Sequence, residues 1–137
     1  MSTNKNHMEA VYQLLRDDTA IQALVGSRIF PTQRPQESGF PAIVYSQLSE
    51  DRIETKDISI PNGHRFTLEL YADQDDPTGG YPKVQSIAKA CKNLLEWYDG
   101  TVDSQKYRIR FRDQNDAPFE EAPEAFKIIQ DYSLRVI

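Results

Sequence analysis

Little in this 137-residue chain resembles the usual equipment of catalysis. There is one cysteine, Cys91, and there are two histidines, His7 and His64. A lone thiol cannot close an internal disulfide, so the fold needs no oxidising compartment. A zinc site or a catalytic triad needs His or Cys groups converging in space, and that inventory is nearly empty. His7 lies in a polar start and His64 follows an Asn62-Gly63 pair. Cys91 falls on an apolar helical stripe, the ordinary place for a small buried hydrophobe rather than a reactive thiol. Long apolar runs are missing too, and none approaches the ~20 residues of a membrane span. Met1 to Met8 is polar and lacks the apolar segment of a secretory signal. Basic charge is in deficit, with 16 Lys and Arg against 21 Asp and Glu and a net charge of -5. A nucleic-acid binder carries a basic surface, so no specific nucleic-acid binding is expected of the domain as a whole. A local basic patch stays open.

Sequence motifs for cofactors are equally scarce. Gly79-Gly80 is followed by neither Gly-Lys-Ser nor Gly-Lys-Thr, so there is no phosphate-binding loop. Asp73, Asp75 and Asp76 invite comparison with a calcium loop. Thr78 stands where that loop requires glycine and Val84 where it requires a bidentate Glu. Neither Gly-x-Ser-x-Gly nor His-Glu-x-x-His occurs. The expectation is a non-enzyme with no cofactor and no metal.

What is present reads as one α+β domain over 8–137, after a polar tail at 1–7 expected to be disordered. Met8, Val11, Tyr12, Leu14 and Leu15 recur at helical spacing. Asp18 or Thr19 can cap a second short helix, Ala20 to Leu24, that Gly26 ends. A brief strand at Ser27 to Phe30 leads into a loop broken by Pro31, Pro35, Gly39 and Pro41. Ala42 to Ile53 reads as a strand, and Pro61-Asn62-Gly63 as a turn. Phe66, Leu68, Leu70 and Ala72 then alternate with polar neighbours, the mark of a half-buried strand. After the polar stretch Asp73 to Gly80 comes the strongest helix. Its stripe is Val84, Ile87, Ala88, Cys91, Leu94, Leu95 and Tyr98, with Pro82 in the first turn and Asp99-Gly100 as the stop.

Two more alternating strands, around Tyr107 to Arg112 and Phe126 to Val136, flank an acidic loop from Asn115 to Pro123. They are expected to pair as an antiparallel hairpin. The predicted fold is a mainly antiparallel sheet of four to five strands, with the long helix and the N-terminal helices on one face.

One charged constellation stands out. Arg108, Arg110 and Arg112 alternate on one strand, where like charges repel. Glu120, Glu121 and Glu124 follow in the acidic loop. One reading is a solvated face balanced by Asp131 or by Glu120 and Glu121. The other is a contact strip for an acidic partner surface, a second copy of the chain included. Tyr71 and Tyr107 are the only aromatic groups near enough to suggest stacking against bases.

A resemblance covers nearly the whole chain, about 8–137. Ala20 to Pro31 (AIQALVGSRIFP), Arg34-Pro35-Gln36 and the strand opening Pro41-Ala42-Ile43-Val44-Tyr45 come in an order similar to that of small tail completion proteins of long-tailed phages. The tail terminator and head–tail joining proteins are close kin of that family. The likeness continues through Arg65 to Ala72, the helix from Tyr81 to Trp97 and the strand from Phe126 to Val136. It implies an α+β subunit without catalysis that joins other copies in a ring, usually a hexamer. Such a ring caps the tail tube, touching the tail tube protein, and presents a surface to the head–tail connector protein. The implied place is the virion, at the head–tail interface, after synthesis in the cytoplasm of a bacterial host, from a phage or a prophage. No membrane contact is implied. With the resemblance goes the expectation that the breaker-rich and polar segments 32–40 and 53–62 are mobile in the free subunit and become ordered in the assembly. A generic α+β binding or regulatory module is the alternative from another class.

Overall fold

Helical periodicity in two stretches and two-residue alternation elsewhere divide the chain into two kinds of element. The computed structural model follows that division and describes residues 7–32, 39–54, 59–73, 80–116, 120–121 and 124–136. The helices are α1 (His7–Asp17), α2 (Thr19–Val25) and α3 (Gly80–Leu95). The strands are β1 (Ile29–Pro31), β2 (Ala42–Glu54), β3 (Ser59–Asp73), β4 (Asp99–Val102), β5 (Gln105–Asp116), β6 (Glu120–Glu121) and β7 (Glu124–Val136). All seven form one sheet, six in the order β1-β2-β3-β7-β5-β4, with β6 laid against β7. Pairings are antiparallel except that of β1 with β2. The expected hairpin of the last two long strands is the β5–β7 pair, and β7 lies between β5 and β3.

Local chemistry explains the helix ends. The Asp18 carboxylate accepts the Ile21 N–H at 3.0 Å and so caps α2. Gly26 ends that helix at φ 61°, a left-handed conformation glycine adopts without strain. Polar, poorly apolar Asp17-Asp18 separates α1 from α2, as the sequence suggests.

Three expectations are corrected. The predicted strand count of four to five becomes seven among the described residues, because β4 and β6 fall where the sequence reads a helix stop and a loop. Helix α3 ends at Leu95, and Asp99-Gly100 opens β4. Gly100 lets the Tyr98 ring lie close against the strand, since a Cβ there would sit 2.5 Å from the Tyr98 hydroxyl and push that side chain aside. The Pro61-Asn62-Gly63 turn is also overturned. Those residues lie inside β3, with Gly63 opposite Asp51 and Ile60 opposite Ile53. Pro61 and Asn62 together face Arg52, and such a bulge accommodates a residue with no N–H to give. Finally, the acidic loop is part strand: Asn115 and Asp116 pair with Ile129 and Ile128. The expected disordered residues 1–6, and positions 33–38 and 55–58 of the two expected mobile segments, lie outside the described residues. His7 already belongs to α1, and residues 53–54 and 59–62 are strand.

The core lies between the helices and one face of the sheet. Ile43 and Tyr45 of β2, Phe66, Leu68, Leu70 and Ala72 of β3, Ile128, Tyr132 and Leu134 of β7, and Tyr107 and Ile109 of β5 are all buried there. Val84, Ile87, Ala88, Cys91 and Leu95 come down on them from α3. Leu94, expected in that stripe, is only half-buried beside the core. Tyr132 stacks on Phe66 with centroids 5.3 Å apart and meets the Phe111 edge at 5.7 Å. Cys91 is fully buried, and burial pushes its thiol pKa up, as suits an inert packing residue. Among the described residues, no helix is long and apolar enough to cross a membrane.

Candidate interaction surface

Alternation along β5 sends Tyr107 and Ile109 into the core and Arg108 and Arg110 to the opposite, helix-free face. The cross-strand register enlarges this pair into a cluster. Arg108 lies directly opposite Arg135 of β7. Arg110 lies opposite Ser133, and Ser133 opposite Arg65 of β3. Four arginines thus occupy two neighbouring rungs of the sheet. Like charges in facing positions destabilise a ladder, so the arrangement runs against ordinary sheet design.

A carboxylate on the next strand answers part of this charge. Asp99 of β4 is paired with Arg108, which donates from Nε to its Oδ1 at 2.9 Å. Arg110 reaches the other oxygen at 3.3 Å. The hydrogen bond from Arg108, helped by Arg110 and opposed by slight desolvation, holds the Asp99 carboxyl below its usual range. Arg110 also donates to the carbonyls of Ile109 at 2.7 Å and Tyr98 at 3.3 Å. Its guanidinium lies 5.2 Å from the centroid of the Trp97 ring. Trp97 is 72% exposed, alone among the large apolar side chains of the described residues.

The third expected arginine stands apart. A bulge between Phe111 and Asp113 leaves Arg112, exposed, without a counterpart on β7. Glu120 and Glu121 form β6, paired with Ala125 and Glu124 at the start of β7. From Glu124 to Arg135, β7 runs about 35 Å at roughly 3.3 Å per residue. The structure therefore does not bring these glutamates to the arginines within one chain. Nor does Asp131 answer them. It accepts a hydrogen bond from Thr67 at 3.2 Å and faces Asp113 across the ladder. Charge is segregated along the β5–β7 pair, with arginines at one end and carboxylates towards the other.

Sequence reasoning missed Asp99, Trp97, Arg65 and Arg135 as members of this surface. Asp99 was masked by its neighbour Gly100, which together with it resembles a helix stop. Arg65 and Arg135 belong to other strands, and only register places them beside β5.

Among the described residues, no other region assembles reactive groups. A groove of about 390 Å³ at the ends of α1 and α3 carries Asp17, Asp18 and Asp103 over Leu14, Leu94 and Val102. Asp18 is committed to its cap and Asp17 to Arg16 at 3.0 Å. Lys127 and Glu69 pair at 2.7 Å on the helix-free face, with the Tyr71 hydroxyl donating to Glu69 at 3.1 Å. Tyr107 is buried, so it offers no ring for stacking on a base. Among the described residues, no group of three His, Cys, Asp or Glu side chains is placed to hold a metal ion. The arginine corner can bind carboxylates and hold an aromatic contact. It contains no nucleophile paired with a base.

One family model matches the chain. The sequence matches the family described as tail completion protein gp17 over residues 9–137. The fold is similar to that of a chain in the virion of a native gene transfer agent particle. The TM-score is 0.70 at 22% sequence identity, covering 92% of this chain and 90% of that one. At that identity the likeness is one of fold. No curated protein matches the sequence.

Proposed function

The chain belongs to the tail completion protein gp17 family, and on that footing we propose that it is a non-enzymatic subunit of a ring that caps a phage-type tail tube and joins it to the head. The observation that carries this reading is the family match across nearly the whole chain, supported by the fold it shares with a virion chain. In this proposal the ring is a hexamer standing at the head–tail interface of the virion. One side meets the tail tube protein and the other the head–tail connector protein. Synthesis takes place in the host cytoplasm before assembly.

Arg108, Arg110 and Arg112 are proposed as a contact strip for an acidic surface, with Glu120, Glu121 and Glu124 as acidic contact residues of the same subunit. Charge complementarity of this kind steers association and fixes orientation. The segregation of the two groups on the sheet favours contacts between molecules over neutralisation within one.

Electron microscopy of particles made without this chain tests the function. The expected result is separate filled heads and unjoined tails. Normal yields of joined particles would refute it. Particles made with R108E and R110E together test the strip, with uncapped or unjoined tails expected from a chain that still folds.

A further inference from the structure

We propose that the corner formed by Trp97, Arg108, Arg110 and Arg135 receives the acidic end of a second copy of this chain, the segment carrying Glu120, Glu121 and Glu124, so that copies associate head to tail. The inference rests on the ring reading above and names the two surfaces that would close it.

Four observations carry it. Trp97 is 72% exposed on a chain whose other large apolar side chains, among the described residues, are covered. Exposed tryptophans beside arginines are the usual anchors of protein interfaces. The corner is also held ready. Arg110 is fixed by two carbonyls and by Asp99 while it lies on the Trp97 ring, so little side-chain freedom remains to be lost on binding. Among the described residues its charge is unbalanced, since Arg108 and Arg110 share one carboxylate, Asp99, and Arg135 lies opposite Arg108, in a chain of net charge -5. Lastly, β4 is the outermost strand on this side of the sheet, so a partner can approach the corner from the edge.

The occupant follows from charge and distance. Carboxylates concentrate at the other end of the β5–β7 pair, at Glu120, Glu121 and Glu124, with Asp113 facing Asp131 on the way there. They stand about 35 Å from the corner, at roughly 3.3 Å per residue, and cannot reach it within the molecule. Two different complementary patches make a heterologous contact. Such contacts close into rings or run on as filaments and do not stop at an isologous dimer.

Sedimentation velocity of the purified full chain tests this. The wild type is expected to form species larger than a dimer that dissociate as salt is raised. R108E/R110E alone and E120K/E121K alone are each expected to stay monomeric, because each sets like charges against like. An equimolar mixture of the two is expected to restore assembly, since the reversed corner then meets the reversed end. Trp97→Ala is expected to weaken association about thirty-fold with an unchanged melting temperature, which keeps the test valid if the arginine variants fold poorly. A wild type that stays monomeric, assembly that stops at a dimer, or a mixture no better than its components would overturn the inference. Those results would leave the tail role standing. Joined virions formed without the chain would remove the tail role while leaving solution assembly untouched.

Discussion

Gln130 offers the sharpest test of how the helices are tied to the sheet. It sits on the core face of β7, wholly buried, where the alternation otherwise places apolar groups. Its amide nitrogen donates to the Ala88 carbonyl of α3 and to Gln114 Oε1, each at 2.9 Å. Its oxygen accepts the Tyr132 hydroxyl at 2.8 Å. Burial pushes the Tyr132 phenol well above its ordinary pKa, so it remains a neutral donor. Replacing Gln130 by Leu removes three hydrogen bonds at nearly constant volume.

The consequences differ among the three partners. Gln114 is exposed and turns to water. Ala88 keeps the i+4 bond of its helix. The Tyr132 hydroxyl alone is stranded in the core, at about 1–3 kcal/mol, and the lost tie to α3 adds about 1 kcal/mol. Gln130→Leu should therefore cost roughly 2–4 kcal/mol, and Tyr132→Phe in the wild type about 1–2 kcal/mol. In the Gln130→Leu background, Tyr132→Phe removes an unpaired hydroxyl and should give back about 1 kcal/mol. Urea titrations of the four chains close this cycle, with equal m-values as the check on two-state behaviour. Single-variant costs that add to within about 0.5 kcal/mol would refute the network.

Two further outcomes are expected. Leu95→Ala should cost ~2–5 kcal/mol and Leu94→Ala less than half as much, because Leu95 is fully buried and Leu94 lies at the rim of the groove. Equal losses in urea titrations would show that the buried face of α3 is misassigned. Asp99 has a lowered pKa, so its pairing stabilises the fold above the ordinary aspartate value of about 3.9 and ceases to do so as pH falls through the lowered value. The contribution is small because the pair is exposed. An NMR titration should place the Asp99 carboxyl below the ordinary value in the wild type and higher in Arg108→Ala. An ordinary value in the wild type would refute the pairing.

The arrangement of elements was open to reading because amphipathic periodicity is written locally. Val84, Ile87, Ala88, Cys91 and Leu95 recur at the spacing of one helical face, and Asp18 and Gly26 are residues whose chemistry marks helix ends. Phe66 to Ala72 and Tyr107 to Phe111 alternate with polar neighbours because one sheet face is wet. Punctuation was less reliable. Pro61-Asn62-Gly63 has the composition of a turn and serves as a bulge, since pairing with β2 carries the ladder past Gly63 to Ser59. Asp99-Gly100 has the composition of a helix stop and serves as an edge strand, since pairing with Arg108 and Tyr107 captures it.

The sequence by itself determined the helices, the long strands, the arginine alternation and the absence of catalytic motifs, all of which depend on residues close together in the chain. Tertiary structure alone decided that Arg65 and Arg135 join Arg108 and Arg110, that Asp99 pairs with two of them, and that the acidic segment lies at the far end of the sheet. Each of these depends on strand register, which is set by how the whole apolar face packs beneath the helices.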